Sequence, residues 1–268
     1  VSGAATDPDE TRDCWHALAA TSAVYYGDVG DAVSGRGERW FAAVSGLAHC
    51  ELNVCGLLPG ADADDVHAVL RHLPGDLPCI VFVSEHAAPA ARTLLVQHGF
   101  DLGAEVEPLM ALPRPPQPRP GPFTVDPLDE AEVIAHAVPL MAEAHHVPVD
   151  LVDRNVRAAL ASGAAQAWMA RDDDEPLSVV WIVRAGDALA VKEMMTPPRH
   201  QRRGAGAAVL TTALARSWDD GVRRAVLLSS VNGTRLYGAT GFAVVDRSTT
   251  TFRGAEPGLL EALGQSAT

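Results

Sequence analysis

The chain has 268 residues, 47% of them hydrophobic, enough for one large or two small domains with a real core. Its formal net charge of −13 argues against nucleic acid and anionic membranes as partners. No apolar run reaches membrane-spanning length, and the opening VSGAATDPDE lacks the charged-then-apolar order of a secretion signal, so a soluble, cytoplasmic protein is expected.

Residues 1–12 are polar and read as a frayed end. A helix is expected over residues 14–25, with Trp15, Leu18, Ala19 and Ser22 as its stripe. A loop rich in glycine and aspartate leads to the apolar run 40–44, and residues 50–58 read as a strand. Residues 62–73 read as a helix with Asp62 as N-cap and Asp64 and Asp65 in its first turn. Residues 79–84 form a short apolar strand. Residues 89–98 form a helix opened by Pro89 and closed by Gly99-Phe100, and residues 106–112 suit a last strand. Cys14, Cys50, Cys55 and Cys79 all lie in this half without a C-x-x-C pair. They read as small buried hydrophobes, and no metal site is expected.

Residues 113–122 hold six prolines, which forbid helix or central strand, so this is an extended linker and the clearest boundary in the chain. Beyond it come a strand at 123–127, a helix at 129–143 interrupted near Pro139, and a second helix at 150–160. Strands at 165–171, 177–184 and 188–195 follow, and the acidic run 172–176 reads as a solvated hairpin tip. Thr196-Pro197-Pro198 stops the last of these strands, because proline cannot donate to a ladder. A helix then begins just after Gly204, with Val209, Leu210, Ala213, Leu214 and Trp218 at helical spacing. A strand at 225–229, a short helix carrying Tyr237 and ending at Gly241-Phe242, and a strand at 242–252 complete this half. Residues 254–268 are a tail with room for one helical turn at 259–263.

The loop Gln201-Arg202-Arg203-Gly204-Ala205-Gly206-Ala207 has a definite physical use. A helix start leaves backbone N–H groups unpartnered and places the positive end of the dipole there. Small residues at 204–207 let a diphosphate approach those amides, and Arg202 and Arg203 add fixed positive charge. No Gly-Lys-Ser/Thr follows, so this is not the phosphate loop of nucleotide hydrolases, and the spacing is not that of a dinucleotide fingerprint.

The run Gln201-x-x-Gly204-x-Gly206-Ala207 resembles the acyl-CoA motif of the GCN5-related N-acetyltransferases (GNAT). The preceding Thr-x-Pro, Asn232, Leu236-Tyr237 and Gly241-Phe242 stand at that family's spacing. The resemblance covers about residues 123–253, half the chain, and the order β-α-α-β-β-β-α-β-α-β matches its fold. The first half lacks such a loop. Yet residues 94–100, LLVQHGF, align with residues 236–242, LYGATGF, placing Leu95 where Tyr237 stands. The resemblance therefore implies an α/β (α+β) chain of two GNAT-like domains, each a mixed, mostly antiparallel sheet flanked by helices. Residues 1–112 form a degenerate unit without the acyl-CoA loop, 113–122 the linker, 123–253 the equipped domain and 254–268 the tail.

The implied activity is acetyl transfer from acetyl-CoA, or another acyl-CoA, to an amine, most readily that of a small molecule. A protein lysine or N-terminus is the alternative acceptor, and a non-enzymatic acyl-CoA sensor or assembly module the alternative role. Cofactor contacts are implied at 201–207, at Met194, Met195 and Thr196 on the strand before the loop, and at Asn232, which could also cap the following helix. Tyr237 matches the family's acid, since a phenol is protonated at neutral pH and can donate to a departing thiolate. Glu193 is the candidate base, provided that its apolar neighbours raise its pKa. His145 and His146 are candidates for the acceptor pocket. Residues 1–122 carry 7 Lys and Arg against 16 Asp and Glu, and such an acidic surround favours either solubility or a cationic acceptor. Monomer and homodimer are both open.

Overall fold

The computed structural model describes residues 7–27, 29, 32–119 and 121–255. In chain order the elements begin α1 (Pro8–Tyr26), β1 (Val33–Arg36), β2 (Trp40–Val44), β3 (Asn53–Leu57), α2 (Ala63–Leu70), β4 (Cys79–Ser84), α3 (Pro89–Gln97) and β5 (Asp101–Leu112). They continue β6 (Thr124–Pro127), α4 (Glu130–Glu132), α5 (Val138–His145), α6 (Val149–Ala161), β7 (Ala165–Asp172), β8 (Glu175–Ala185) and β9 (Ala188–Met195). Last come α7 (Ala205–Ser217), β10 (Arg224–Leu228), α8 (Thr234–Ala239) and β11 (Ala243–Arg253).

Local chemistry accounts for several boundaries. Asp62 accepts from the Asp64 and Asp65 amides, and Asp65 reaches back to the Asp62 amide, a reciprocal capping box that starts α2. Residues 7–12, expected to fray, instead open α1: Asp7 accepts from the Asp9 amide and Pro8 fills the first turn, where its missing N–H costs nothing. Residues 1–6 and the proposed turn at 259–263 lie outside the described residues. The break expected near Pro139 is a π turn, Val133–Ala137, joining α4 to α5, because proline cannot donate into the α-helical ladder. Between residues 29 and 40, β1 forms an edge strand that the sequence VSGR does not announce.

All eleven strands form one sheet, ordered β1-β2-β3-β4-β11-β5-β10-β9-β8-β7-β6. Among the described residues only β3–β4 and β9–β10 pair in parallel. The last strand of each half crosses over. β11 pairs with β4 of the first half, β5 pairs with β10 of the second, and β5 and β11 pair with each other. The proline-rich boundary in sequence is thus spanned by a continuous ladder. Residues 113–119 carry no regular structure, and the Arg119 amide donates to Thr211 Oγ1 at 3.0 Å, tying this stretch to α7.

The repeat seen in sequence has a backbone counterpart. Phe100 N donates to Leu95 O at 3.1 Å, and Phe242 N donates to Tyr237 O at 3.1 Å. Gly99 (φ 80°) and Gly241 (φ 102°) both occupy the left-handed region that such a helix end requires. Leu95 and Tyr237 thus each accept the hydrogen bond that closes a Gly-Phe helix end.

One face of the sheet is covered by a single apolar cluster that joins α1, α5 and α6 across both halves. On the other face α7 and α8 cover the second half, and α2 and α3 cover the first. Fully buried side chains such as Phe41, Leu109 and Phe252 each contribute roughly 2–3 kcal/mol through lost contact with water. α1 is also pinned by Trp15 Nε1, which donates to the buried Asp246 Oδ2 at 2.7 Å, an atom that Ser84 Oγ also reaches at 2.7 Å.

Candidate active site

β9 and β10 pair at Ala188, Leu189 and Ala190, and there the pairing ends, although β9 runs on to Met195 and β10 to Leu228. On its other edge β9 is bulged: Trp181 faces Lys192 and Val179 faces Met195, so Glu193 and Met194 together oppose Val180. Glu193 has φ 41°, which is strained for a residue with a side chain. The two strands splay, and a cleft of about 730 Å³ opens where they part.

The loop 201–204 forms one wall of this cleft. Arg202 (φ 65°) and Gly204 (φ 93°) turn the chain so that α7 begins at once at Ala205. No side chain caps this helix start, so its first amides are available to a ligand. A Cβ on Gly206 would sit 3.1 Å from Met194 Cε and 3.2 Å from Thr196 Oγ1, so those side-chain ends must give by a few tenths of an ångström for any larger residue. Thr196 is fixed by Ser178 Oγ at 2.8 Å and by Gln201 Nε2, which donates to its carbonyl at 3.1 Å.

Of the residues matched to cofactor binding, Met194, Met195, Thr196, Gln201, Arg202, Gly204, Ala205, Gly206, Ala207, Asn232 and Tyr237 all line the cleft. Arg203 does not: its guanidinium pairs with Asp172 Oδ2 at 2.6 Å, at the hairpin tip. Gly233, not Asn232, occupies the N-cap of α8, whose start is closed by the Ser230 carbonyl and hydroxyl.

Tyr237 is 9% exposed and stacks edge-on against Phe242 at 5.9 Å. Burial, aided by the negative charge of Glu193, raises its pKa above the ordinary phenol value, so it stays protonated at neutral pH. With His145, Met194 and Ser230 it also lines a second cavity of about 240 Å³. This cavity lies between the halves of the chain: Leu18, Ser22, Tyr26, Glu51 and Glu107 of the first half face Lys192 and Glu193 of the second.

Glu193 departs from expectation. Burial does act to raise its pKa, but the His145 imidazolium, its hydrogen bond and Lys192 outweigh burial, and the net shift is downward. His145 Nε2 lies 2.8 Å from Glu193 Oε2, and its Nδ1 lies 3.9 Å from Glu51 Oε2. Burial opposes the imidazolium, yet the two carboxylates lift its pKa to about 9. His146 takes no part: it is exposed, lines neither cavity, and ends α5 in a left-handed conformation.

The pH dependence follows from these shifts. His145, raised above its ordinary 6.5, contributes stability that is complete below that value and lost as pH rises through about 9. Glu193, lowered below its ordinary 4.5, contributes stability that is complete above that value and lost at more acid pH. Glu193→Gln is therefore expected to destabilise most between about pH 5 and 6.5, with a deficit that shrinks toward about pH 9. Urea unfolding of wild type and variant across this range checks it, and a constant deficit would contradict the pair.

Sequence reasoning missed Glu51, Lys192 and Ser230. Glu51 is a lone carboxylate inside an apolar run, placed by a single 3₁₀ turn, Cys50–Leu52, where a strand was expected. Lys192 carried a signal that could have been used, being the only lysine of the chain.

Residues 137–256 match the family model of the acetyltransferase (GNAT) domain. Among solved structures, a GCN5-related N-acetyltransferase from Kribbella flavida superposes with TM-score 0.64 at 18% identity, over 96% of this chain and 98% of that one. One from Sphaerobacter thermophilus gives 0.54 at 15%, over 94% and 96%. A tandem GNAT protein from the clavulanic acid biosynthesis pathway gives 0.53 at 13%, over 95% and 98%. No curated protein matches the sequence. Residues 137–256 thus resemble the GNAT acetyltransferase domain, and the whole chain has the fold of these solved structures. No described helix is long and apolar enough to cross a membrane.

Proposed function

We propose that this chain is an acyl-CoA-dependent N-acetyltransferase that moves an acetyl group from acetyl-CoA to the amine of a small molecule. The observation that carries this reading is the splay of β9 from β10, with an uncapped helix start on one side and Tyr237 between two cavities. The first-turn amides of α7, with Arg202 and Arg199 on the cleft wall, suit a diphosphate. The β10-facing edge of β9, unpaired after Ala190, suits an extended amide-bearing arm. Tyr237 supplies the proton that the leaving thiolate takes up. Glu193, held ionised by His145, serves better as counter-ion to an incoming ammonium than as a poised base. The small volume of the second cavity favours a small acceptor over a protein surface.

We read residues 1–112 as a degenerate unit of the same kind that contributes acceptor walls rather than a second cofactor site. At its helix start, Asp62 and Asp65 occupy the free amides and pair with Arg39 at 2.9 and 3.0 Å, so an anion would meet carboxylates there. Residues 123–253 form the equipped unit.

Thermal unfolding with and without acetyl-CoA tests the cofactor assignment. At ligand about a hundredfold above Kd, mass action adds about 2.7 kcal/mol, which raises Tm by roughly 5 °C or more in a chain of this size. No shift at millimolar acetyl-CoA would overturn the assignment.

A further inference from the structure

The second cavity is lined by charges of both signs, Lys192 on one side and Glu51, Glu107, Glu193 and His145 on the other. Lys192 Nζ donates to Ser22 Oγ at 2.9 Å and lies 5.8 Å above the Tyr26 ring. Among the described residues no ion pair joins it. Burial lowers its pKa to about 8, against the pull of the Glu193 charge, and its direct contacts are that hydroxyl and that ring. A desolvated ammonium in that position is stabilised by an entering anion.

The opposite sign gathers around His145. Glu51 and Glu193 both face that one imidazolium, at 3.9 and 2.8 Å; burial raises the Glu51 pKa, while His145 outweighs burial at Glu193. The third carboxylate, Glu107, accepts from Thr250 Oγ1 at 2.7 Å. The remaining walls include Leu18, Val54, Ile80 and Phe82. At about 240 Å³ the cavity is smaller than the roughly 300–1,000 Å³ of sites for drug-sized ligands.

Building on the acetyl-transfer reading, we propose that the acceptor is a small amino acid, its ammonium held by Glu51 and Glu193 and its carboxylate held by Lys192. A simple amine would leave Lys192 without an anion, and a polyamine would place a second cation against it. In the reaction the amine nitrogen bonds to the thioester carbonyl carbon and the carbon–sulfur bond breaks. The ammonium gives up two protons in all: one is balanced by the proton that Tyr237 delivers to sulfur, and the other leaves to solvent. The products are an N-acetyl amino acid, CoA thiol and a proton.

The test compares kcat/KM for amino acids with the amines that lack only the carboxylate: alanine with ethylamine, valine with isobutylamine, and γ-aminobutyrate with propylamine. Wild type is expected to favour at least one amino acid by about a hundredfold, the effect of one charged hydrogen-bonding partner. Lys192→Met is expected to erase most of that preference while the acetyl-CoA-induced rise in Tm persists. Amines turned over as well as their amino acids by wild type would overturn the proposal, as would no transfer to any amino acid by a protein that binds acetyl-CoA. Absence of the Tm rise in wild type would instead remove the acetyl-transfer reading on which the proposal rests.

Discussion

Tyr237→Phe is expected to lower kcat by about a hundredfold or more while changing acetyl-CoA affinity by less than about twofold. The substitution removes one oxygen and keeps the ring, so the edge-on contact with Phe242 and the packing against α7 survive. The lost oxygen belongs to a phenol that burial and the Glu193 charge hold protonated, at the wall shared by the larger cleft and the smaller cavity. A departing thiolate would then have to find its proton in solvent, and an interaction made only in the transition state shows in kcat rather than in binding. Steady-state kinetics with calorimetric titration of acetyl-CoA separates the two quantities. Unchanged kcat would rule out the acid role, and a parallel loss of affinity would point to a packing role.

Gly206→Val is expected to weaken acetyl-CoA binding by about a hundredfold or more, with the fold retained. Residue 206 lies in the first turn of α7, where valine is tolerated at a modest cost in helix propensity. The new Cβ alone meets Met194 Cε at 3.1 Å and Thr196 Oγ1 at 3.2 Å, and the two methyl groups must then extend into the space above the helix start. A diphosphate excluded from even one or two of those amides loses charge-assisted hydrogen bonds of about 1.5–3 kcal/mol each. Calorimetric titration of a variant whose circular dichroism matches wild type is the check, and wild-type affinity would place the diphosphate elsewhere. Gly204→Val adds backbone strain at φ 93° and serves as a harsher second substitution.

Much of the framework around the candidate site was readable because its signals are local. The bounds of Cys79–Ser84 and Ala188–Met195, the Asp62 cap and the helix start after Gly204 all depend on residues within a few positions of one another. The crossing of β5 and β11 depends on pairings such as Ala111 with Ala243, more than a hundred residues apart. Either strand, read alone, is simply an apolar run that ends its half. The direction of the Glu193 shift was hidden for the same reason. Its own neighbours are apolar and suggest a raised pKa, while the imidazolium that decides the matter stands on α5, 48 positions earlier. Lys192 gains a place in the site only when α1 is folded over it and Ser22 meets its ammonium.

The most direct test of acetyl transfer is the release of CoA thiol from acetyl-CoA by wild-type protein, followed with and without amines and amino acids, with products identified by mass. Thiol that appears only when an acceptor is present, saturates with both substrates and matches the N-acetylated product mole for mole is the expected result. Tight acetyl-CoA binding with no acceptor-dependent thiol release across the panel would contradict it and leave the cleft as a binding site without transfer.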